Sequence, residues 1–533
     1  MGYVLINESI LSSIGNILRS KLDTNSNYTV SSMANSIKQI SQFYIDIIQY
    51  NISSISATIN NANDSIADMY KNCIQDMELT ILLPSISEPF IADNLIKLSL
   101  PNCSYICNSA FYECNYLSYA EVDLSKITYI GDNALKFSDL TNYNMSTYLD
   151  LPNCSYIGSN TFMYCQNLSS ISIPNCSYIG NNAFNNCWTL SYAELDLSKI
   201  TYIGDNALSF VSLTNYNTST YLELPNCRYA AQAFATCSIL SSISLPNCTS
   251  LASYAFQYCR GMTSISPMPN CSYIGSYAFY GCSKLTNSCV QEILDNYKSY
   301  STAINVGVFF MCSSITNLDL TGYTSIGGSA FADCKSLTSI SLPNCSYISG
   351  SAFSGCNNLS YISLPNCSYI GDAAFSACTN LTSIDMPNCK TIIGYAFNIC
   401  ANLSSISIPN CSSIGIYAFN KCSKLTSISI PNCSFIGSWA FYNCYRLLSI
   451  SMSNCSYIGS SAFYGCSNLS AVYILSTTVP SLSNYNAFYN TPISNSTYLG
   501  YFGSIYVLST LVNSFKTATN WKVYSSRIVA YTP

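Results

Sequence analysis

Between residues 334 and 466 a cysteine stands at every eleventh position. Prolines keep the same beat at twice the interval: Pro343, Pro365, Pro387, Pro409 and Pro431 are 22 residues apart, each opening Pro-Asn-Cys. The sixth copy reads Ser453-Asn454-Cys455. One such unit cannot bury its own apolar face, so a chain with this period must stack its units. Less regular copies open at Pro101, Pro152, Pro174, Pro225, Pro246 and Pro269. A longer unit, SYAEVDLSKITYIGDNAL from Ser118, returns almost unchanged from Ser191, 73 residues on. About fifteen coils are expected in all.

The unit reads L-x-x-I-x-[IL]-P-N-C-S-Y-I-G-x-x-A-F-x-x-C-x-x. In the copy from Leu359, Ile362 and Leu364 alternate with Tyr361 and Ser363. The period-two rule turns the first pair inward and the second outward. Pro365 ends the strand and Asn366 favours the turn. Cys367 and Ile370 return to the core, Gly371 supplies a tight bend, and Ala374, Phe375 and Cys378 fill the opposite wall. The pattern resembles the BspA-like leucine-rich repeats across residues 95–475, with cysteine in place of a branched aliphatic after Pro-Asn. That resemblance implies a right-handed solenoid of about 22-residue coils, mainly β with short helical turns.

The cysteines form two series in the regular coils. Cys345, Cys367, Cys389, Cys411, Cys433 and Cys455 follow Pro-Asn; Cys356, Cys378, Cys400, Cys422, Cys444 and Cys466 follow Ala-Phe. Three roles compete. The total of 29 is odd, so one chain cannot pair them all. Stacking places equivalent cysteines about 4.8 Å apart, within the Cα range of a disulfide, but side chains of a parallel ladder point the same way. Zinc needs converging thiolates, usually from closely spaced pairs, whereas these fall on two walls. Packing as small apolar residues is the favoured role. So many free thiols suit a reducing or anaerobic setting.

Composition narrows function. Only 8% of residues are charged, the net charge is −5, and no basic cluster stands out, which excludes a nucleic-acid footprint. There is no histidine. That removes the commonest general base, the Ser-His and Cys-His pairs and every histidine metal site. Carboxylates are sparse and scattered, so neither an enzyme nor a cofactor is expected. No apolar run is long enough to span a membrane, and no membrane insertion is expected. The start, MGYVLINESILSSIG, lacks the basic and apolar regions of a secretory leader, and Ile6 breaks a myristoylation motif.

The ends depart from the repeat. Ile10, Ile14, Ile17 and Leu18 mark a first helix, and a second restarts near Thr29. The pair resembles an N-terminal segment of bacteriophage tail-associated proteins and of related bacterial repeat proteins. Ile45, Ile48, Ile52, Ile55, Ile59, Ala62, Ile66, Met69 and Cys73 then follow steps of three and four. This is an a/d seam, expected to form a coiled coil; an amphipathic helix packed on its own solenoid is the alternative. Isoleucine at both a and d favours a trimer. At the other end, Ile505–Val507, Leu511–Trp521 and Arg527–Val529 resemble a C-terminal α/β cap of phage and Gram-positive BspA-like proteins. The expected organisation is 1–41 attachment helices, 42–76 coiled coil, 77–285 first array, 286–311 helical insertion, 312–475 second array and 476–533 cap. The insertion reads as a surface addition, with a hinge as the alternative.

The outward residues are mostly serine, and the chain carries 45 tyrosines. Tyr105, Tyr156, Tyr178, Tyr273, Tyr347, Tyr369 and Tyr457 follow Pro-Asn-Cys-Ser, and Tyr361 lies on a strand. Tyr112, Tyr280, Tyr442 and Tyr464 follow Ala-Phe. Such rings either stiffen the ladder by stacking or recognise a partner, since tyrosine gives rigid amphipathic area and its face can stack on sugars. The two terminal resemblances and the seam imply a phage tail-fibre or receptor-binding subunit in the virion. It would be trimeric, attached to other tail proteins through its N-terminus, and would bind a bacterial surface glycan or protein. The alternative is a BspA-like cell-surface adhesin or host-interaction protein of a bacterium or protist.

Overall fold

The computed structural model describes residues 54–59, 76–81, 85–86, 95–112, 125–136, 147–165, 168–187, 190, 192–195, 199–207, 221–238, 240–494 and 502–531. The chain is mainly β and winds as a solenoid of about 17 turns of about 22 residues. Two compact units divide at Cys237 and Ser238.

In the first unit, two-residue strands pair in parallel from Ser85–Ile86 through Tyr105–Ile106, Tyr129–Ile130, Tyr156–Ile157, Tyr178–Ile179 and Tyr202–Ile203 to Tyr229–Ala230. Register sets tyrosine beside tyrosine. A second wall holds Thr147–Asp150, Leu168–Ile173 and Tyr192–Leu195. A further parallel sheet joins Ser54–Ile59, Asp76–Ile81 and Leu95–Ser99.

That last sheet corrects the seam. Ile55 and Ile59 lie in a strand, with Ile55 opposite Met77 and Ile59 opposite Ile81. Ile55, Ala57 and Ile59 alternate with Ser54, Ser56 and Thr58, so the stretch fits a period of two as well as steps of three and four. The β-branched Ile55, Thr58 and Ile59 favour the strand. Ile45, Ile48, Ile52, Ile66 and Met69, with the helices expected before them, lie outside the described residues.

In the second unit, three-residue strands form a five-stranded parallel sheet: Asn317–Asp319, Ser339–Ser341, Tyr361–Ser363, Ser383–Asp385 and Ser405–Ser407. Another begins at Ser427–Ser429 and passes through Ser449–Met452, Ala471–Ile474 and Ser504–Leu508 to Ile528–Tyr531. Two-residue strands run from Ala303–Ile304 to Ser481–Leu482 in a nine-stranded sheet. Ile362, Leu364, Cys367, Ile370, Ala374, Phe375 and Cys378 are fully buried between the walls. Phe375 stacks on Phe353 at 5.3 Å and on Phe397 at 5.4 Å. Burying each such ring stabilises the stack by about 2–3 kcal/mol.

The bend in each coil is not made by the glycine of the Ile-Gly pair. A Cβ on Gly371 would meet the backbone N of Gly350 at 2.6 Å, so glycine is there for close approach of the preceding coil. The left-handed residues are Ala373 (φ 52°) and Ala377 (φ 59°). Side-chain amides tie the coils together. Asn366 donates to the Pro343 carbonyl at 2.8 Å and Asn388 to that of Pro365 at 2.7 Å.

After the last regular coil the chain forms α2 (Val512–Thr517), a 3-10 turn (Lys522–Arg527) and the strand Ile528–Tyr531; α1 (Asn287–Tyr297) is described below. Trp521 is buried, and its indole N–H donates to the Pro480 carbonyl at 2.7 Å. Asn520 Nδ2 donates to the Leu482 carbonyl at 2.7 Å, and the Tyr524 hydroxyl to that of Tyr485.

Candidate recognition surfaces

Every described cysteine is a free thiol, and nearly all are buried. The two series do different work. Cys345, Cys367, Cys389, Cys411, Cys433 and Cys455 place Sγ 3.2–3.6 Å from the carbonyl two residues on, closing the local turn. Cys356, Cys378, Cys400, Cys422, Cys444 and Cys466 instead reach back a coil, 3.0–3.2 Å from a phenylalanine carbonyl 25 residues earlier. A thiol is a weak donor as well as a small apolar group. Burial pushes Cys367 up to about 11 and Cys400 to about 12. Thiolate chemistry is therefore suppressed. Among the described residues, no three His, Cys, Asp or Glu side chains gather as a metal site.

The tyrosines that follow the serine form stacks. In the first unit Tyr105, Tyr129, Tyr156, Tyr178, Tyr202 and Tyr229 make one column. Successive centroids are 4.6, 4.4, 4.4, 4.5 and 5.7 Å apart. Sequence reasoning missed Tyr129, Tyr202 and Tyr229; the repeated K-I-T-Y-I-G and the R-Y-A after Asn226-Cys227 were the available signal. In the second unit Tyr347 stacks on Tyr369 at 4.6 Å and Phe435 on Tyr457 at 5.0 Å. Burial, then the neighbouring phenols, hold Tyr202 up at about 12. Stacking covers the ring faces and leaves edges and hydroxyls outward. A sugar cannot lie on a face inside such a column.

Two rings are placed differently. Tyr273 pairs with Ser250 and Tyr361 with Ser339 and Ser383, all small neighbours. Tyr361 is 52% exposed and Tyr273 is 49% exposed, so their faces are accessible.

The expected insertion is woven into its coil rather than laid on the surface. α1 occupies the place of a strand between Ser264–Ile265 and Asn317–Asp319. Thr286 caps it by accepting from the Cys289 N–H, and Cys289, Val290, Ile293, Leu294 and Tyr297 are buried. On one side the Ile265 N–H donates to Cys289 Sγ at 3.2 Å. On the other, Asn287 Oδ1 accepts from the N–H groups of Thr316 and Asn317 at 3.1 and 3.0 Å. Gln291 both donates to and accepts from the Asp319 backbone, at 2.9 Å each way. These amides do what a neighbouring strand would do and satisfy an open edge. A shallow polar cleft of about 480 Å³ lies there, lined by Asn287, Gln291, Asp295, Asn317, Leu318 and Asp319. Asp319 is held below the ordinary carboxylate range by the hydroxyl and N–H of Thr321.

The family model described as BspA type leucine-rich repeat region matches residues 48–149, 146–227, 220–303, 302–410 and 390–509. The chain belongs to the BspA-type leucine-rich repeat family. No protein among the curated ones matches it. Solved structures of similar proteins include a leucine-rich repeat protein from Bacteroides ovatus. It is 18% identical with a TM-score of 0.31, covering 81% of this chain and 92% of that one. A leucine-rich cell surface protein from Faecalibacterium prausnitzii is 21% identical with a TM-score of 0.35, covering 62% and 82%. The pneumococcal vaccine antigen PcpA is 12% identical with a TM-score of 0.24, covering 92% and 95%. The BspA-type model describes a repeat region, not a catalytic domain. Among the described residues no helix is long and apolar enough to cross a membrane.

Proposed function

We propose that the protein is a non-enzymatic recognition protein, an adhesin displayed at a cell surface that contacts a glycan or a protein through the outward residues of its coils. The observation that carries this reading is the surface itself. It is a rigid, weakly charged scaffold of Ser, Asn and Tyr, with tyrosine rings both stacked and singly exposed. Such residues bind at low entropic cost because the backbone holds them in place. Labelled full-length protein, titrated against bacterial and epithelial cells by flow cytometry, should bind saturably. Absence of saturable binding to any cell would defeat the reading.

A second reading, a trimeric phage tail subunit joined to other tail proteins through its N-terminus, draws on the C-terminal segment. Trp521 and Asn520 bond the Pro480 and Leu482 carbonyls, which supports reading this segment as a terminal cap. The seam offers this reading less support now that Ile55 and Ile59 sit in a strand. Light scattering separates the two: a trimer favours the tail subunit and a monomer the adhesin.

A further inference from the structure

The five-stranded sheet that runs from Asn317–Asp319 to Ser405–Ser407 has an outward face of one character. The segments 316–319, 338–341, 360–363, 382–385 and 404–407 contain no Lys or Arg. Their charged residues are Asp319 and Asp385 and their aromatic residue is Tyr361; Ser, Thr and Asn317 fill the other outward positions. Lys335 and Lys390 lie in the bends of these coils. At one edge of the sheet α1 adds Glu292 and Asp295, with Lys298 held on Asp295 at 2.8 Å. The face is therefore acidic, and the one cation on it is already paired.

The three side chains are open to a partner. Tyr361 is exposed, and its strand neighbours Ser339 and Ser383 are too small to cover either ring face. Asp385 is half-buried beside Ser363 and Ser407, and among the described residues no donor or cation meets its carboxylate. Asp319 is exposed, and one of its oxygens accepts from the N–H and the hydroxyl of Thr321 at 3.0 and 2.6 Å, which holds it ionised.

Their spacing fits an extended chain. Asp319 and Asp385 hold the same strand position three coils apart, with Ser341 and Ser363 between them. At about 4.8 Å per coil that is about 14 Å. An extended chain advances about 3.3 Å per residue and turns alternate side chains to one face, so residues i and i+4 stand about 13 Å apart on that face. Tyr361 lies between the carboxylates, one row aside.

We propose that this face binds an extended basic segment of a partner protein, with Arg or Lys at positions i and i+4 meeting Asp319 and Asp385, and Tyr361 taking a side-chain stem or guanidinium plane on its ring. The proposal rests on the recognition reading above and names the partner's chemistry. Arginine suits the face best, because its fork matches a carboxylate and its plane stacks on a phenol ring. An acidic segment would meet two carboxylates and no free cation. A neutral glycan would leave both carboxylates without a counter-charge.

The test uses full-length protein and two fluorescein-labelled peptides: Gly-Arg-Ser-Gly-Ser-Arg-Gly and the same peptide with glutamate in place of both arginines. Fluorescence anisotropy should show saturable binding of the arginine peptide, weakened by added salt, and none of the glutamate peptide. Tyr361→Ser and Asp385→Asn should each lower its affinity by about fivefold. Asp372→Asn, which removes an exposed carboxylate from a turn outside this sheet, should leave it unchanged. Serine already stands at the neighbouring positions 339 and 383, and circular dichroism checks that the coils persist. Wild-type affinity in both Tyr361→Ser and Asp385→Asn would overturn the site. Equal binding of the glutamate peptide, or no saturable binding of the arginine peptide, would overturn the partner class; cell binding by the wild type would then leave the recognition reading standing. Absence of cell binding as well would bring down that reading too.

Discussion

The Cys378 thiol donates to the carbonyl of Phe353, one coil back, at 3.2 Å. The same carbonyl accepts the Cys356 N–H at 3.2 Å. Both lone pairs of a buried oxygen are thus used, one within the coil and one between coils. Cysteine is small and apolar enough for this buried wall and still carries a weak donor. An aliphatic side chain would fill the space and make no bond.

Cys378→Ala should therefore lower stability by about 1–2 kcal/mol, combining a small cavity with a lost weak hydrogen bond. The loss should be local. Amide exchange in residues 353–378 should quicken while the first unit keeps its protection, as expected for a repeat whose coils meet only their neighbours. An unchanged exchange pattern would show that the inter-coil thiol bond contributes nothing.

Alkaline pH should unfold the arrays. Burial lifts the Cys367 thiol from its ordinary 9.0 to about 11 in the folded chain, and Cys400 from 9.0 to about 12. The unfolded chain then releases these protons first, so stability is full below about pH 9 and falls as pH climbs toward 11–12. The melting temperature should be flat through neutrality in this respect and drop above pH 9. A disulfide-exchange reagent at pH 8 should leave the ladder cysteines unmodified until denaturant is added. Rapid native labelling of Cys378 or Cys400 would contradict their burial.

Much of the coil was legible because strand periodicity is local. Ile362 and Leu364 face inward, and Phe375 and Cys378 are buried, as alternation and spacing required. The donor role of Cys378 was not legible, since its acceptor lies 25 residues away and depends on how coils stack. Tyr129, Tyr202 and Tyr229 escaped notice because their coils vary in length, yet stacking restores their register. Ile55 and Ile59 misled because isoleucines spaced this way fit two periods at once.

Ile399 is a β-branched residue in a left-handed conformation, with φ 62°. Gly355 and Gly465 hold the equivalent turn position with φ 74° and 75°. Ile399→Gly should remove strain worth about 1–2 kcal/mol and return part of it through a more flexible unfolded chain, for a net gain of about 0.5–1 kcal/mol. The measurement is the denaturation midpoint. A lower midpoint would mean that the exposed side chain contributes more packing than its backbone loses.

The edge at α1 predicts a matched pair of results. Gln291→Ala breaks both bonds to the Asp319 backbone, and exchange of the Asp319 amide should rise at least tenfold. Lys298→Ala removes only an exposed ion pair with Asp295 and should change neither exchange nor melting. Equal effects from the two substitutions would remove the argument that Gln291 stands in for a strand.

Trp521 decides whether the C-terminal segment protects the last coil. Its ring is buried against Phe515 and Phe488, with centroids 5.1 and 6.1 Å away, and its N–H satisfies the Pro480 carbonyl. Trp521→Ala leaves that carbonyl without its partner and opens a large cavity, a loss of about 3–5 kcal/mol. Solenoids fray from exposed ends, so the earliest step of thermal unfolding should move to residues 471–494. Exchange there should accelerate, and hydrophobic-dye binding should rise well below the main transition. Trp521→Phe should recover the packing and not the hydrogen bond, falling between the two. If Trp521→Ala melted as the wild type does, the segment would be decoration on a coil that is stable without it.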